Sequence, residues 1–274
     1  MLIDEKAFRS RLDNLQNLPA FPGILDKFNE MATDPRISMS QIGDTIGKDQ
    51  MLAMKILKLV NSAFYGFPGR ISTVTHALVL LGYDVVKGLI LSASVFDVMA
   101  DKWRPLWKHS LAVSKATGII CKQMNLPNAE EIGMAGLLHD IGKVVLMIME
   151  PEVYQTVIQA ASKKGRPIVI AEQSMIGFTH SDVALWLCER WNLPQRLAAP
   201  MSFHHTPELA TYAELATAVV FIGDNMVKAM GQGAEPNAPV EKINPAVTER
   251  VSISREQLVA IVEKLEPELE SLGE

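Results

Sequence analysis

Six histidines are spread unevenly along this 274-residue chain. His76 stands apart, whereas His109, His139, His180, His204 and His205 follow one another through the second half. Asp140 directly succeeds His139, Lys143 comes three residues later, and Asp224 interrupts the apolar run "VVFIGDNMV". A divalent transition ion needs several neutral imidazole or carboxylate ligands converging from different elements. Adjacent helical residues point about 100° apart, so His139 and Asp140 cannot share the centre of one stripe. Both can still reach an ion seated beside the helix, with Asp140 able to bridge two ions. Lys143 rises on the face of Asp140, where its ammonium can meet a phosphate oxygen. None of these spacings is a local zinc signature such as H-E-x-x-H. The other reading therefore stays open: the histidines are polar anchors between helices, and Asp140 is held by Lys143 or a backbone donor.

The elements that must position these residues all read as helices. "ISMSQIGDTI" opens on a capping box, Ser38 with Gln41, and sends Ile42, Ile46 and Met51 inward. "DQMLAMKILKLVNSA" places Leu52, Ile56, Leu59 and Val60 on one stripe. The next segment has Ser72 as cap and Gly82 as stop. "WKHSLAVSKATGIICKQM" is amphipathic. Asn128 with Glu131 caps a helix that contains "GLLHDIGKVV" and runs to about Met149, where Pro151 ends it. Thr179 and Asp182 open "HSDVALWLCERW", and Ser254 with Gln257 opens a terminal helix expected to dock back on the body. Residues 231–245, rich in Gly, Pro, Asn and Ala, read as a loop or linker. No segment alternates with period two, so no strand is assigned. The expected fold class is all-α, divided at 1–105, 106–230 and 231–274.

Composition sets the outer limits. The chain is 48% hydrophobic and 21% charged, ample for a buried core. The net charge of -5 offers no basic face for nucleic acid. Cys121 and Cys188 fit no C-x-x-C pattern and read as buried free thiols. "MLIDEKAFRS" lacks a signal-peptide core, and "GLILSASVF" is too short to span a bilayer. A cytoplasmic protein without a membrane segment is expected. Trp103 and Trp107, four apart, read as a packed helix face.

"LLHDIGK" resembles the HD motif of the HD superfamily of metal-dependent phosphohydrolases, whose pattern falls here on His109, His139, Asp140 and Asp224. The HD-GYP branch adds a His and a His pair for a second metal, which would be His180 with His204 and His205. Its Gly-Tyr-Pro motif is absent, so cyclic di-GMP hydrolysis is unsupported. Pro105 stands where some members carry a third-metal Glu. The first half resembles the HDOD domain, the HD-related output domain. Its marks are Leu18, Pro19 and Pro22, then Asp49 to Ala63, then Ile71 to Gly82. This likeness covers roughly residues 12 to 230 and implies an HD-superfamily-like helical fold preceded by an N-terminal helical subdomain.

Two functions follow from the resemblance. The first is a bacterial signalling protein with a retained binuclear metal site and another signalling protein as partner. Phe64, Tyr65 and Phe67 offer one surface for it, although that stretch also reads as core plus an ordinary turn. The second is a metal-dependent phosphohydrolase acting on a nucleotide or other phosphoester. There Asp140 would bridge the ions, Lys143 would neutralise a phosphate oxygen, and a water of lowered pKa would attack phosphorus. A ligand set of N and O without thiolate favours iron or manganese, with zinc or magnesium as alternatives. Oxygen chemistry at a di-iron site, seen in some HD-superfamily members, ranks below both.

Overall fold

The computed structural model describes residues 2–13, 21–61 and 71–270; the side chains of 13, 21–24, 51 and 94–102 fall outside that description. The expectations for Leu18, Pro19, Pro22, Met51, Phe64, Tyr65 and Phe67 therefore lie outside the described residues. Among those described, every regular element is helical and no strand occurs.

The first elements are α1 (Glu5–Asp13), α2 (Phe21–Thr33), α3 (Met39–Gly47) and α4 (Gln50–Val60), followed by α5 (Val74–Lys102). Ser38 and Gln41 form both arms of the expected capping box at α3, and Ile42 and Ile46 are buried. Leu52, Ile56, Leu59 and Val60 of α4 are buried as one stripe against α5. Asn61 then clamps the chain. Its amide donates to the Ile71 carbonyl at 2.6 Å and accepts from the Ile71 N–H at 3.1 Å. The cap of α5 is Thr73, not Ser72: its hydroxyl accepts from the His76 N–H. Gly82 takes φ 78°, ψ 178° and bends α5, as its reading as a helix stop implies, but the next helical turn begins at once.

The second half comprises α6 (Arg104–Gln123), α7 (Ala129–Leu138), α8 (Ile141–Met149), α9 (Pro151–Lys164), α10 (Ile168–Met175), α11 (His180–Arg190), α12 (Gln195–Phe203) and α13 (Glu214–Ala229). The pair α6 and α7 packs against α12 and α13, with α8 lying along α11. Two corrections arise here. The helix expected to run from Asn128 to Met149 is cut at His139–Asp140 into α7 and α8. Asn128 caps nothing with its side chain; it sits in the left-handed region at φ 58°, which Asn tolerates, and turns the chain out of α6. Thr179 and Asp182 do form a capping box at α11.

α14 (Pro245–Val251) and α15 (Arg255–Glu270) complete the chain. The box of Ser254 with Gln257 forms, and Leu265 and Leu269 of α15 bury against Ala112, Val113 and Ala116 of α6. α1 reaches across the molecule, where Phe8 stacks on Phe178 with ring centroids 4.9 Å apart. One contiguous core runs from Phe8 to Ile261. Cys121 and Cys188 are buried and free, and Trp107 is buried with Trp103 packed beside the core. Two stretches, Val74–Ala93 and Ala129–Met149, have the length and apolarity of a membrane span. The second is 83% buried inside the fold and is cut by the His139–Asp140 bend, so it reads as a core element.

Candidate metal centre

The break between α7 and α8 is what lets His139 and Asp140 act together. His139 caps the C-terminal end of α7 and Asp140 the N-terminal end of α8, so neither is confined to a helical stripe. The last carbonyls of a helix lack intrahelical partners. The His139 ring uses one of them, donating from Nδ1 to the Gly136 carbonyl at 2.8 Å. His204, at the end of α12, repeats the device with the Met201 carbonyl at 3.1 Å. His109 projects from α6 and donates from Nδ1 to the Gln232 carbonyl at 2.8 Å. His180 opens α11, and its Nδ1 donates to Glu172 at 2.8 Å. His205 donates from Nδ1 to Glu241 at 2.7 Å.

These five bonds settle the tautomers. A carbonyl oxygen only accepts, so the Nδ1 atoms of His109, His139 and His204 carry the proton. In the neutral ring an Nδ1–H leaves Nε2 as a lone pair, and the five Nε2 atoms gather with Asp140 and Asp224. Anchoring a histidine through its outer nitrogen is the usual way a protein orients a metal ligand. Asp140, Lys143, His109, His139, His180, His204 and Asp224 are all buried, and His205 nearly so.

The structure gathers these groups into two neighbouring sets. His109, His139 and Asp224 form one, and Asp140, His180, His204 and His205 the other; within each, candidate ligand atoms lie within 4.8 Å of one another. Asp140 faces both. Its Oδ2 is 3.3 Å from His139 Nε2 and 3.7 Å from His109 Nε2. Its Oδ1 is 3.3 Å from His180 Nε2 and 3.7 Å from His204 Nε2. His109 Nε2 is 3.2 Å from Asp224 Oδ1, and His205 Nε2 is 3.1 Å from His180 Nε2. Atoms about 2.1 Å from a shared ion, at tetrahedral or octahedral angles, stand about 3.0–3.4 Å apart. Four of the six observed spacings fall in that range, and the two from Asp140 to His109 and His204 are 3.7 Å.

A second observation agrees. His109 Nε2, Asp140 Oδ1 and Asp224 Oδ1 are buried without a hydrogen-bond donor or acceptor partner. Orphaned buried polar atoms are costly unless something satisfies them. The local charge also calls for a cation. Among the described residues, Asp140, Asp224, Glu172, Glu235 and Glu241 face Lys143 and Lys228 as fixed positive charges. Burial pushes Asp140 toward its neutral form, but His139 and Lys143 outweigh it and hold the carboxyl well below the usual range. Burial acts likewise on Asp224, where Lys228 and His109 prevail. Burial would lower His180, yet Glu172 and Asp140 raise it to about 9. Burial holds His204 and His205 well below the ordinary histidine value, which keeps their lone pairs free.

Lys143 lies 2.9 Å from Asp140 Oδ2 and 2.7 Å from Glu235 Oε1. Its partner Glu235 was not legible beforehand, nor were Glu172, Glu241, Lys228 and Tyr154. Tyr154 donates to Glu172 at 2.6 Å, which completes a buried Tyr–Glu–His chain behind His180. The signal for Glu172 was present: a lone carboxylate within the apolar helix "IVIAEQSM". Glu235 and Glu241 lie in the segment read as linker.

A model of the HDOD domain matches residues 18–207. An uncharacterized protein of Treponema pallidum is 27% identical over 79% of this chain and 43% of its own length. The chain thus spans less than half of that curated relative. Among solved structures, an HDOD domain protein from Geobacter sulfurreducens superposes with TM-score 0.72 at 24% identity, over 97% of this chain and 95% of the other. A candidate signal-transduction protein from Marinobacter aquaeolei gives 0.75 at 20% identity, over 97% and 63%. A candidate phosphohydrolase from Shewanella amazonensis gives 0.67 at 18%, over 95% and 93%. At these identities the structural likenesses speak for the fold.

Proposed function

The chain belongs to the HDOD family, and from that premise we propose that it is a cytoplasmic bacterial signal-transduction protein whose HD-type pocket holds two divalent ions. The observation that carries this reading is the set of five histidine Nε2 lone pairs aimed inward by five Nδ1–H bonds. His109, His139 and Asp224 would hold one ion, and His180, His204 and His205 the other. Asp140 would bridge them through its two oxygens. Iron or manganese suits this N- and O-rich set best, ahead of zinc and magnesium. The role favoured is non-catalytic: the ions stabilise or sense, and another signalling protein is the partner, with neither nucleic acid nor membrane involved.

The position of Lys143 supports a second reading, a phosphohydrolase for a nucleotide or other small phosphoester. Ions at the centre would supply Lewis acidity there. Lys143 would then act on a phosphate oxygen, and Asp140 would stay ionised beside it. The two readings separate in one assay. Protein loaded with Mn(II) or Fe(II) should leave p-nitrophenyl phosphate, its diester and a nucleotide panel intact. Turnover that disappears in Asp140→Asn would overturn the non-catalytic role and establish the second reading.

A further inference from the structure

Residues 231–244 contain neither helix nor strand, and their outer side chains are largely exposed. They nevertheless lie across the centre as a strap. The Gln232 carbonyl holds His109, and the Glu241 N–H donates to Asn225 Oδ1 at 2.6 Å. Two strap carboxylates reach inward, and each lands on a lysine that is already paired with a site aspartate. Glu235 meets Lys143, which also meets Asp140. Glu241 meets Lys228 at 3.0 Å, and Lys228 is 2.6 Å from Asp224. The two aspartates of the centre therefore each have a lysine beside them, and each lysine carries a strap glutamate. A cavity of about 300 Å³ lies between strap and body, with His205, Phe221, Pro239, Glu241 and Val247 in its wall. That is the small end of the range for ligand sites.

We infer that Lys143 and Lys228 form a site for the phosphate group of a small phosphoester, entered from the cavity beside His205, and that Glu235 and Glu241 of the strap fill this site as an internal competitor. The inference rests on the phosphoester ligand proposed for the centre. Removing one partner from a buried ion pair is costly because the other charge is stranded. An incoming phosphate dianion offsets that cost: it takes over both lysines, and can accept the Nδ1–H that His205 loses with Glu241, as the two carboxylates return to water. The exchange of one anion for another is thus the step that opens the strap. Its few backbone hydrogen bonds place it at the low-stability end of the molecule.

Hydrogen exchange of the intact chain tests this, using inorganic phosphate against chloride at equal ionic strength. Phosphate should speed exchange of the strap amides, that of Glu241 foremost, by roughly tenfold or more, while α6 and α13 stay unchanged. Glu235→Gln should do the same without phosphate. Unchanged or slowed strap exchange in phosphate would overturn the inference, and this wild-type measurement decides even if the variant fails to fold. Chelator-treated and Mn(II)-loaded samples separate the two claims. A strap that opens to phosphate in protein that takes up no metal supports the anion site and overturns only the metal reading. Metal uptake with a strap indifferent to phosphate overturns only the strap.

Discussion

Gly142 of α8 lies so close to His180 of α11 that a Cβ at position 142 would stand 1.9 Å from the His180 carbonyl oxygen. The glycine in "HDIGK" is therefore a packing requirement. It lets α8 press onto the start of α11, which brings Asp140 within reach of His180. Gly142→Ala forces these backbones apart. Overpacking of this kind costs about 1–3 kcal/mol. Denaturant unfolding should show that loss together with reduced metal uptake, and a variant of unchanged stability and metal content would refute the close approach.

Glu172 positions His180 from behind, accepting from its ring, from its backbone N–H at 3.0 Å and from the Tyr154 hydroxyl. Loss of such an outer partner lowers metal affinity about 10–100-fold. Glu172→Gln should show this drop in a competition titration while its helical circular dichroism stays native. Tyr154→Phe removes one hydrogen bond to the carboxylate, a loss of about 1 kcal/mol in stability, and should affect affinity less.

Burial pushes the thiols of Cys121 and Cys188 up to about 12. The thiolate is the reactive form. Because little of it forms in the folded protein below that pH, native reactivity toward a disulfide reagent should stay far below that of a free thiol between pH 7 and 9. Both thiols should react once the chain is unfolded. A native thiol that titrates near pH 9 would contradict the burial.

α15 closes the far side of α6 through Leu265 and Leu269. Leu265→Ala should cost about 2–5 kcal/mol through the cavity left behind. The buried residues clustered with it, Ala112, Val113, Ala116, Val227 and Leu269, are none of them in the centre, so metal stoichiometry should be retained in protein that remains folded. Loss of metal from such a folded variant would show that α15 supports the site directly.

Much of this was legible in local sequence. The capping boxes of Ser38, Thr179 and Ser254 depend on residues three apart, and all three form. The histidines and aspartates singled out by type and spacing converge, because they lie on apolar helices or at their ends, where packing buries them. The bend at His139–Asp140 was not legible. It depends on the His139 ring taking the Gly136 carbonyl, and an apolar run from Ala129 to Met149 reads as continuous. The strap was hidden for a different reason. Gly and Pro exclude helix over 231–244, with Pro245 already the first residue of α14, but composition does not say which way a loop turns. Glu235 and Glu241 gain their meaning only from Lys143 and Lys228, which tertiary packing brings to them.

The most direct measurement is the metal content of the purified chain, prepared without added metal or a histidine tag, beside a His139→Ala/Asp140→Ala variant. One or two equivalents of iron or manganese are expected in the native chain and should be lost in a folded variant. No bound metal in native protein, even after incubation with Fe(II) or Mn(II), would contradict it and leave the five histidines as anchors between helices.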